Sequence, residues 1–90
     1  MKIRQLDITK QVDDFLEKLP PKQFKQVYST IIELRRNTTP HDSIKLQGST
    51  DQHRVDIGEY RIIYTFDEKV VYIQIVGKRN DNDVYRKNNR

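Results

Sequence analysis

The sequence predicts a small α+β domain of the order β-α-α-β-β-β, in which a helical hairpin packs on a mainly antiparallel sheet. The stretch 53–79 is rich in β-branched and aromatic residues, and the polar breaks Gly58-Glu59 and Asp67-Glu68 divide it into three strands. Before that stretch, apolar residues recur at helical spacing in two segments that meet at Pro20-Pro21. A chain of 90 residues forms one domain, residues 1–90, with a thin core, because a chain of this size buries only about two-thirds of its unfolded surface.

Composition narrows the class of protein. With 17 lysines and arginines against 13 acidic residues, the net charge of +4 favours an acidic partner, such as nucleic acid or an acidic protein segment. The chain has no cysteine, which excludes a disulfide framework and a thiolate zinc site. No apolar run reaches the roughly 18 residues of a membrane span, and the N-terminus lacks the apolar region of a signal peptide. We therefore expect a soluble, cytoplasmic domain.

The first half of the chain predicts a strand followed by a helical hairpin. Residues 1–9 alternate between apolar and polar side chains, as a short strand does. Thr9 is a suitable N-cap for the first helix, and Pro20-Pro21 ends this helix and begins the second. Thr38-Thr39-Pro40 ends the second helix. The apolar stripes of the two helices are Val12, Phe15, Leu16 and Leu19, then Phe24, Val27, Tyr28, Ile31, Ile32 and Leu34 or Arg35.

The second half predicts a loop and a three-stranded meander. The loop covers residues 37–52, and we expect its segment 45–48 to dock on an edge of the sheet. The last strand, 69–77, is apolar on both sides, which is typical of a central strand. The tail 80–90 is polar, with Val84 and Tyr85 as its apolar anchors.

Alternation along the strands separates the two faces of the meander. Tyr60, Ile62, Tyr64 and Phe66 form the larger apolar set and should pack on the helices. The opposite face should bring Arg54, Asp56 and Arg61 together across neighbouring strands.

These residues form a recognisable pattern. Arg54-Val55-x-x-Gly58-x-Tyr60-Arg61-Ile62-Ile63-Tyr64, followed by Gly77-Lys78-Arg79 and then Val84-Tyr85, resembles the RelE/ParE superfamily of bacterial toxins, and within it the RelE-type mRNA interferases. The resemblance covers nearly the whole chain and implies a RelE-like fold. It also implies cleavage of mRNA in the ribosomal A site without a metal or cofactor. Its partners would be the ribosome, mRNA and a cognate antitoxin, with a monomer alone and a hetero-oligomer with the antitoxin.

The resemblance assigns roles to two arginines. Metal-free RNA cleavage uses the ribose 2′-OH as the nucleophile, so the protein must align the phosphate and stabilise its charge. Arg61 matches the phosphate-binding arginine of the family, and Arg79 matches the arginine credited with stabilising the transition state or protonating the leaving group. Because the pKa of arginine exceeds about 12, electrostatic stabilisation by Arg79 is favoured over proton donation.

The resemblance also implies roles for three further residues. Tyr85 matches a tyrosine that stacks on a substrate base, although it could equally anchor the tail to the core. Arg54 takes the place of the first of two family lysines and keeps its charge. Lys78 is a candidate phosphate contact. Arg54 and Lys78 could instead be ordinary surface residues.

Asp56 departs from the family pattern, which has a second lysine, the expected general base, at this position. Asp56 could itself accept the 2′-OH proton, but neighbouring arginines would lower its pKa. It could instead neutralise Arg61. His53 has a suitable intrinsic pKa, yet alternation places it on the core side with Val55, and His41 stands alone. Two rival functions stay open: a ParE-like inhibitor of DNA gyrase, and a weakened family member that acts mainly as an antitoxin partner.

Overall fold

A sheet of five strands, covered on one face by two helices, forms the fold in a computed structural model that describes residues 3–48 and 51–79. The strands are β1 (Gln5–Ile8), β2 (Ile44–Lys45), β3 (His53–Ile57), β4 (Tyr60–Phe66) and β5 (Val70–Lys78). Their order in the sheet is β1-β5-β4-β3-β2. β1 pairs with β5 in parallel, and every other pairing is antiparallel. This confirms the predicted fold class.

The two helices are α1 (Lys10–Glu17) and α2 (Pro21–Glu33). As predicted, Thr9 is the N-cap of α1: its hydroxyl accepts a hydrogen bond from Val12 N at 3.3 Å. Pro21 opens α2, where the missing N–H of proline costs nothing. In the described part of the chain, neither helix is long and apolar enough to cross a membrane.

Replacing Thr9 with alanine is expected to lower the free energy of unfolding by about 1–2 kcal/mol. The hydroxyl caps α1 and also donates a hydrogen bond to Gln74 O at 2.8 Å, so alanine removes two contacts. Urea denaturation measures the effect. Thr9→Ser keeps the hydroxyl and should stay within about 0.5 kcal/mol of the wild type; an equal loss in both variants would contradict the capping argument.

α1 also completes the edge of β5. β1 ends at Ile8, but the Gln11 side chain continues its pairing beyond that point. Gln11 Nε2 donates to Val76 O at 3.1 Å, and Gln11 Oε1 accepts from Val76 N at 3.2 Å. A single amide side chain thus satisfies both backbone groups that a longer β1 would have paired.

The core lies between the helices and one face of the sheet. It contains the predicted apolar set of β4, with Tyr60, Ile62 and Tyr64 buried and Phe66 packed against them. The helices contribute Val12, Leu16, Val27, Ile31 and Leu34. On the opposite face, Ile63 and Ile75 form a small second cluster that Leu46 partly covers.

Several details differ from the sequence prediction. α2 ends at Glu33, before the predicted stop at Thr38-Thr39-Pro40. Tyr28 lies outside the core: it is 38% exposed and stacks on Phe24, with 5.3 Å between ring centroids. The first strand starts at Gln5, so residues 3 and 4, which the predicted strand included, lie outside it. The loop docks on the sheet edge through a short strand, Ile44–Lys45, paired with β3, so only Lys45 of the expected segment 45–48 takes part in the pairing.

A register shift between β4 and β5 sets the position of the candidate site residues at the end of β5. Ile63 faces Ile75 and Tyr64 faces Ile73, so Gln74 is the extra residue of a bulge. Beyond the bulge, Gly77 lies opposite Arg61. The bulge therefore decides which residues at the end of β5 share a face with Arg61.

Candidate functional site

The sheet face opposite the helices carries a group of charged side chains near the β3–β4 turn. We call this group the arginine face; it consists of Arg54, Asp56, Arg61 and Arg79. Asp56 and Arg61 are direct partners across the β3–β4 ladder. The turn between these strands contains Gly58, whose φ of 59° favours glycine.

Arg61 and Asp56 form a two-point ion pair. Arg61 Nε donates to Asp56 Oδ1 at 2.7 Å, and Arg61 Nη2 donates to Asp56 Oδ2 at 3.0 Å. The Arg61 side chain is only 12% exposed and that of Asp56 is 27% exposed. The planar guanidinium fork matches a carboxylate well, and it matches a phosphate in the same way.

Arg79 approaches the same carboxylate from the end of β5. Its Nε lies 3.9 Å from Asp56 Oδ2. Its backbone N donates to Glu59 O at 3.0 Å, and its Nη1 donates to Gly58 O at 3.3 Å. Guanidinium groups from two strands thus converge on one anionic group, and Arg79 is half-exposed to solvent.

The arginines hold Asp56 in its charged form. The hydrogen bonds from Arg61 lower the pKa of the Asp56 carboxyl below its ordinary value of 3.8, against a smaller opposing effect of burial. The charges of Arg61, Arg54 and Arg79 add to this lowering. A carboxylate with a lowered pKa is a weak base, so the geometry disfavours Asp56 as the acceptor of a 2′-OH proton.

Because of this ion pair, the free energy of unfolding should decrease as the pH falls into the acidic range. The pKa of Asp56 is lower in the folded than in the unfolded chain. The ion pair therefore adds its full share to the free energy of unfolding when the pH is above the pKa of the unfolded chain, and this share disappears as the pH falls through the pKa of the folded chain. We expect Asp56→Asn to flatten part of the loss of unfolding free energy between about pH 5 and pH 2. Urea denaturation of the wild type and of Asp56→Asn at several pH values in this range measures the effect. Parallel curves of unfolding free energy against pH for the two proteins would contradict the prediction.

The remaining predicted residues lie in several places. Arg54 is half-buried on the same face as Asp56 and close enough to lower its pKa. Lys78 lies opposite Tyr60 in the ladder, so alternation directs it to the helix face, away from Arg61. The structure does not bring Lys78 together with the arginine face. Tyr85, like Val84, lies outside the described residues.

The two histidines lie away from the arginine face. His53 packs on the core side as predicted, with its ring centroid 5.7 Å from that of Tyr64 and 5.1 Å from that of Phe66. His41 is exposed in the loop after α2. Within residues 3–48 and 51–79, no group of three or more His, Cys, Asp or Glu side chains is placed to hold a metal ion.

Sequence reasoning missed the backbone groups that hold Arg79. The Glu59 carbonyl accepts from its main chain and the Gly58 carbonyl accepts from its guanidinium. Every residue type has a backbone carbonyl, so such contacts cannot be recognised from the sequence. It also missed Gly77, which faces Arg61 without a side chain. The alternation of β5 carried a signal for Gly77, since it lies two residues from Arg79.

The chain is similar in sequence to a RelE protein from another organism. The chain is 30% identical over 79 residues to a protein of Methanocaldococcus jannaschii assigned as toxin RelE1, and the match covers 82% of this chain and 88% of that protein. No family model matches the chain. At this identity and coverage, the chain belongs to the RelE toxin family.

Solved structures support the same conclusion. The archaeal RelE–RelB complex of Pyrococcus horikoshii contains a chain that is 30% identical, with a TM-score of 0.75 and coverage of 86% of this chain and 96% of that one. Free Escherichia coli RelE carrying two arginine-to-alanine substitutions is 26% identical, with a TM-score of 0.75 and coverage of 96% and 93%. The protein is therefore the toxin of a RelE-type toxin–antitoxin system.

Proposed function

We propose that this toxin is a ribosome-dependent endoribonuclease that cleaves mRNA by attack of a ribose 2′-OH on the adjacent phosphate. The observation that carries the proposal is the convergence of Arg61 and Arg79 on one carboxylate. Two guanidinium groups spaced to hold a single carboxylate can also hold a single phosphate.

Each arginine has a distinct part in this reaction. Arg61, fixed within β4 and largely buried, binds and orients the phosphate. Arg79 is more exposed, and it stabilises the negative charge that grows on the phosphoryl oxygens. Arg54 adds positive potential on the same face. Tyr85 is proposed to position a base by stacking.

The proposed reaction exchanges one bond at phosphorus for another. The 2′-oxygen forms a bond to phosphorus and loses its proton to a base, while the bond to the 5′-oxygen breaks and that oxygen gains a proton. The products are a 2′,3′-cyclic phosphate and a 5′-OH end. DNA has no 2′-OH, so the mechanism selects RNA without reading the bases.

The net charge and the similarity to RelE support the proposed binding partners of this protein. A net charge of +4 favours binding to ribosomal RNA and mRNA in the cytoplasm, because phosphate contacts dominate such affinity. RelE is bound to RelB in the Pyrococcus horikoshii structure, and a corresponding antitoxin is the proposed partner that silences this chain.

A translation assay tests the proposal. A reporter mRNA is translated in an extract with the purified toxin, and the 5′ ends of the fragments are mapped. We expect cuts that require both the toxin and translating ribosomes. Intact mRNA would overturn the proposal, and if DNA supercoiling by gyrase were arrested at the same time, the ParE-like alternative would replace it.

A weakened enzyme is a second candidate that one observation favours. The two-point pair between Asp56 and Arg61 neutralises the arginine that should bind phosphate. In this alternative the chain acts mainly as the ligand of its antitoxin. It predicts slow or absent cleavage by the wild type, and faster cleavage by Asp56→Lys, which restores a basic residue.

A further inference from the structure

We propose that Asp56 is an internal competitor of phosphate, which makes the arginine face select RNA held in place over free phosphate anions. The inference rests on the proposed function for the site, and it assigns Asp56 a role in specificity. Its basis is that the Asp56 carboxylate already takes the contacts that a phosphate would need.

The contacts overlap directly. Asp56 uses both Nε and Nη2 of Arg61, the edge of the guanidinium that binds an oxyanion at two points. The same carboxylate also lies beside Arg79, with 3.9 Å between Nε and Oδ2. A phosphate bridging the two arginines in this way must therefore take the place of the carboxylate.

Simultaneous binding is also electrostatically unfavourable. A phosphate within contact of both guanidinium groups would lie beside the negative charge of Asp56, in a site where Arg61 is only 12% exposed. Like charges at such separations repel strongly where water is partly excluded. Asp56 keeps 27% of its side-chain surface exposed, so the exchange that we propose turns its carboxylate towards solvent.

The exchange discriminates between ligands. Asp56 is tethered two residues from the turn that also holds Arg79, so its effective concentration at the arginines is high, on the millimolar scale or above for short tethers. A free phosphate ion competes poorly against such a group. RNA held by additional contacts delivers its phosphate at a comparably high effective concentration, so it can displace the carboxylate.

Titration calorimetry with two probes tests the inference. The probes are inorganic phosphate and a short RNA whose 2′-oxygens are methylated to prevent cleavage. Asp56→Asn removes the competing charge and keeps the shape, so we expect inorganic phosphate to bind about 10- to 100-fold more tightly than to the wild type. The gain for the methylated RNA should be smaller. Asp13→Asn, an exposed substitution on α1 with the same change in net charge, is the control and should leave both affinities unchanged.

The outcomes separate this inference from the nuclease proposal. Unchanged or weaker phosphate binding by Asp56→Asn overturns the inference, whether or not the wild type cleaves mRNA. Tighter binding without cleavage by either protein supports the competition between Asp56 and phosphate and overturns the nuclease proposal. Should Asp56→Asn fail to fold, Asp56→Ser removes the same charge, and the same gain is expected. Damage to the fold cannot imitate the result, since it would weaken binding.

Discussion

Replacing Arg61 with alanine is expected to reduce mRNA cleavage by about 10²-fold, the scale of loss when a reacting group is no longer held in the productive orientation. Arg61 is the more deeply placed of the two converging arginines, held in β4 opposite Asp56. Arg61→Lys keeps the charge but lacks the planar fork, so it should recover only part of the rate. The measurement is the rate at which toxin-dependent 5′ ends appear during translation of a reporter mRNA.

This experiment needs a control for folding, because the loss of Arg61 leaves the half-buried Asp56 carboxylate without its main partner. The double variant Asp56→Asn with Arg61→Ala removes the orphaned charge and should be more stable than Arg61→Ala alone, yet equally inactive. Arg36→Ala, at an exposed position after α2, loses a charge without touching the arginine face and should keep full activity. Normal cleavage by a folded Arg61→Ala protein would refute the proposed role.

Replacing Tyr64 with alanine is expected to lower the free energy of unfolding by about 3–5 kcal/mol. Tyr64 is completely buried in the centre of β4, among the largest side chains of the core. Its hydroxyl donates a hydrogen bond to Thr38 O at 2.7 Å, which ties the segment after α2 to the sheet. Alanine removes both the ring and this tie, and urea denaturation at neutral pH measures the loss.

Two further variants divide this effect. Tyr64→Phe keeps the ring and leaves the buried Thr38 carbonyl without this donor, which should cost about 1–3 kcal/mol. Tyr28→Ala removes a tyrosine that is 38% exposed and should cost much less than Tyr64→Ala. Equal losses at positions 28 and 64 would show that burial does not decide the effect.

The sequence predicts most of the fold because its signals are local. Thr9 and the proline pair mark the helix ends, and these boundaries depend only on nearby residues. Alternation in 53–66 assigns Ile62 and Tyr64 to the core and Asp56 and Arg61 to the opposite face, as the structure has them. Tyr28 was misplaced because helical spacing cannot show where a partner surface ends.

The details of the site depend on contacts between distant parts of the chain. The bulge at Gln74 sets which residue of β5 faces Arg61, and nothing in the local sequence marks it. Beyond it, alternation turns Lys78 away from the arginine face and brings Arg79 onto it. The proximity of Asp56 to Arg61 was predictable from the hairpin, whereas the two-point geometry of the pair required coordinates.

The side-chain amide of Gln11 connects α1 to the strand that leads to Arg79. It hydrogen-bonds both backbone polar atoms of Val76, and Arg79 follows only three residues later, directly after the end of β5. The placement of that guanidinium is therefore braced from two directions, by the turn carbonyls on one side and by α1 on the other. A partner that displaced the start of α1 would therefore weaken the support of Arg79 at the end of β5 without contacting the arginine face itself.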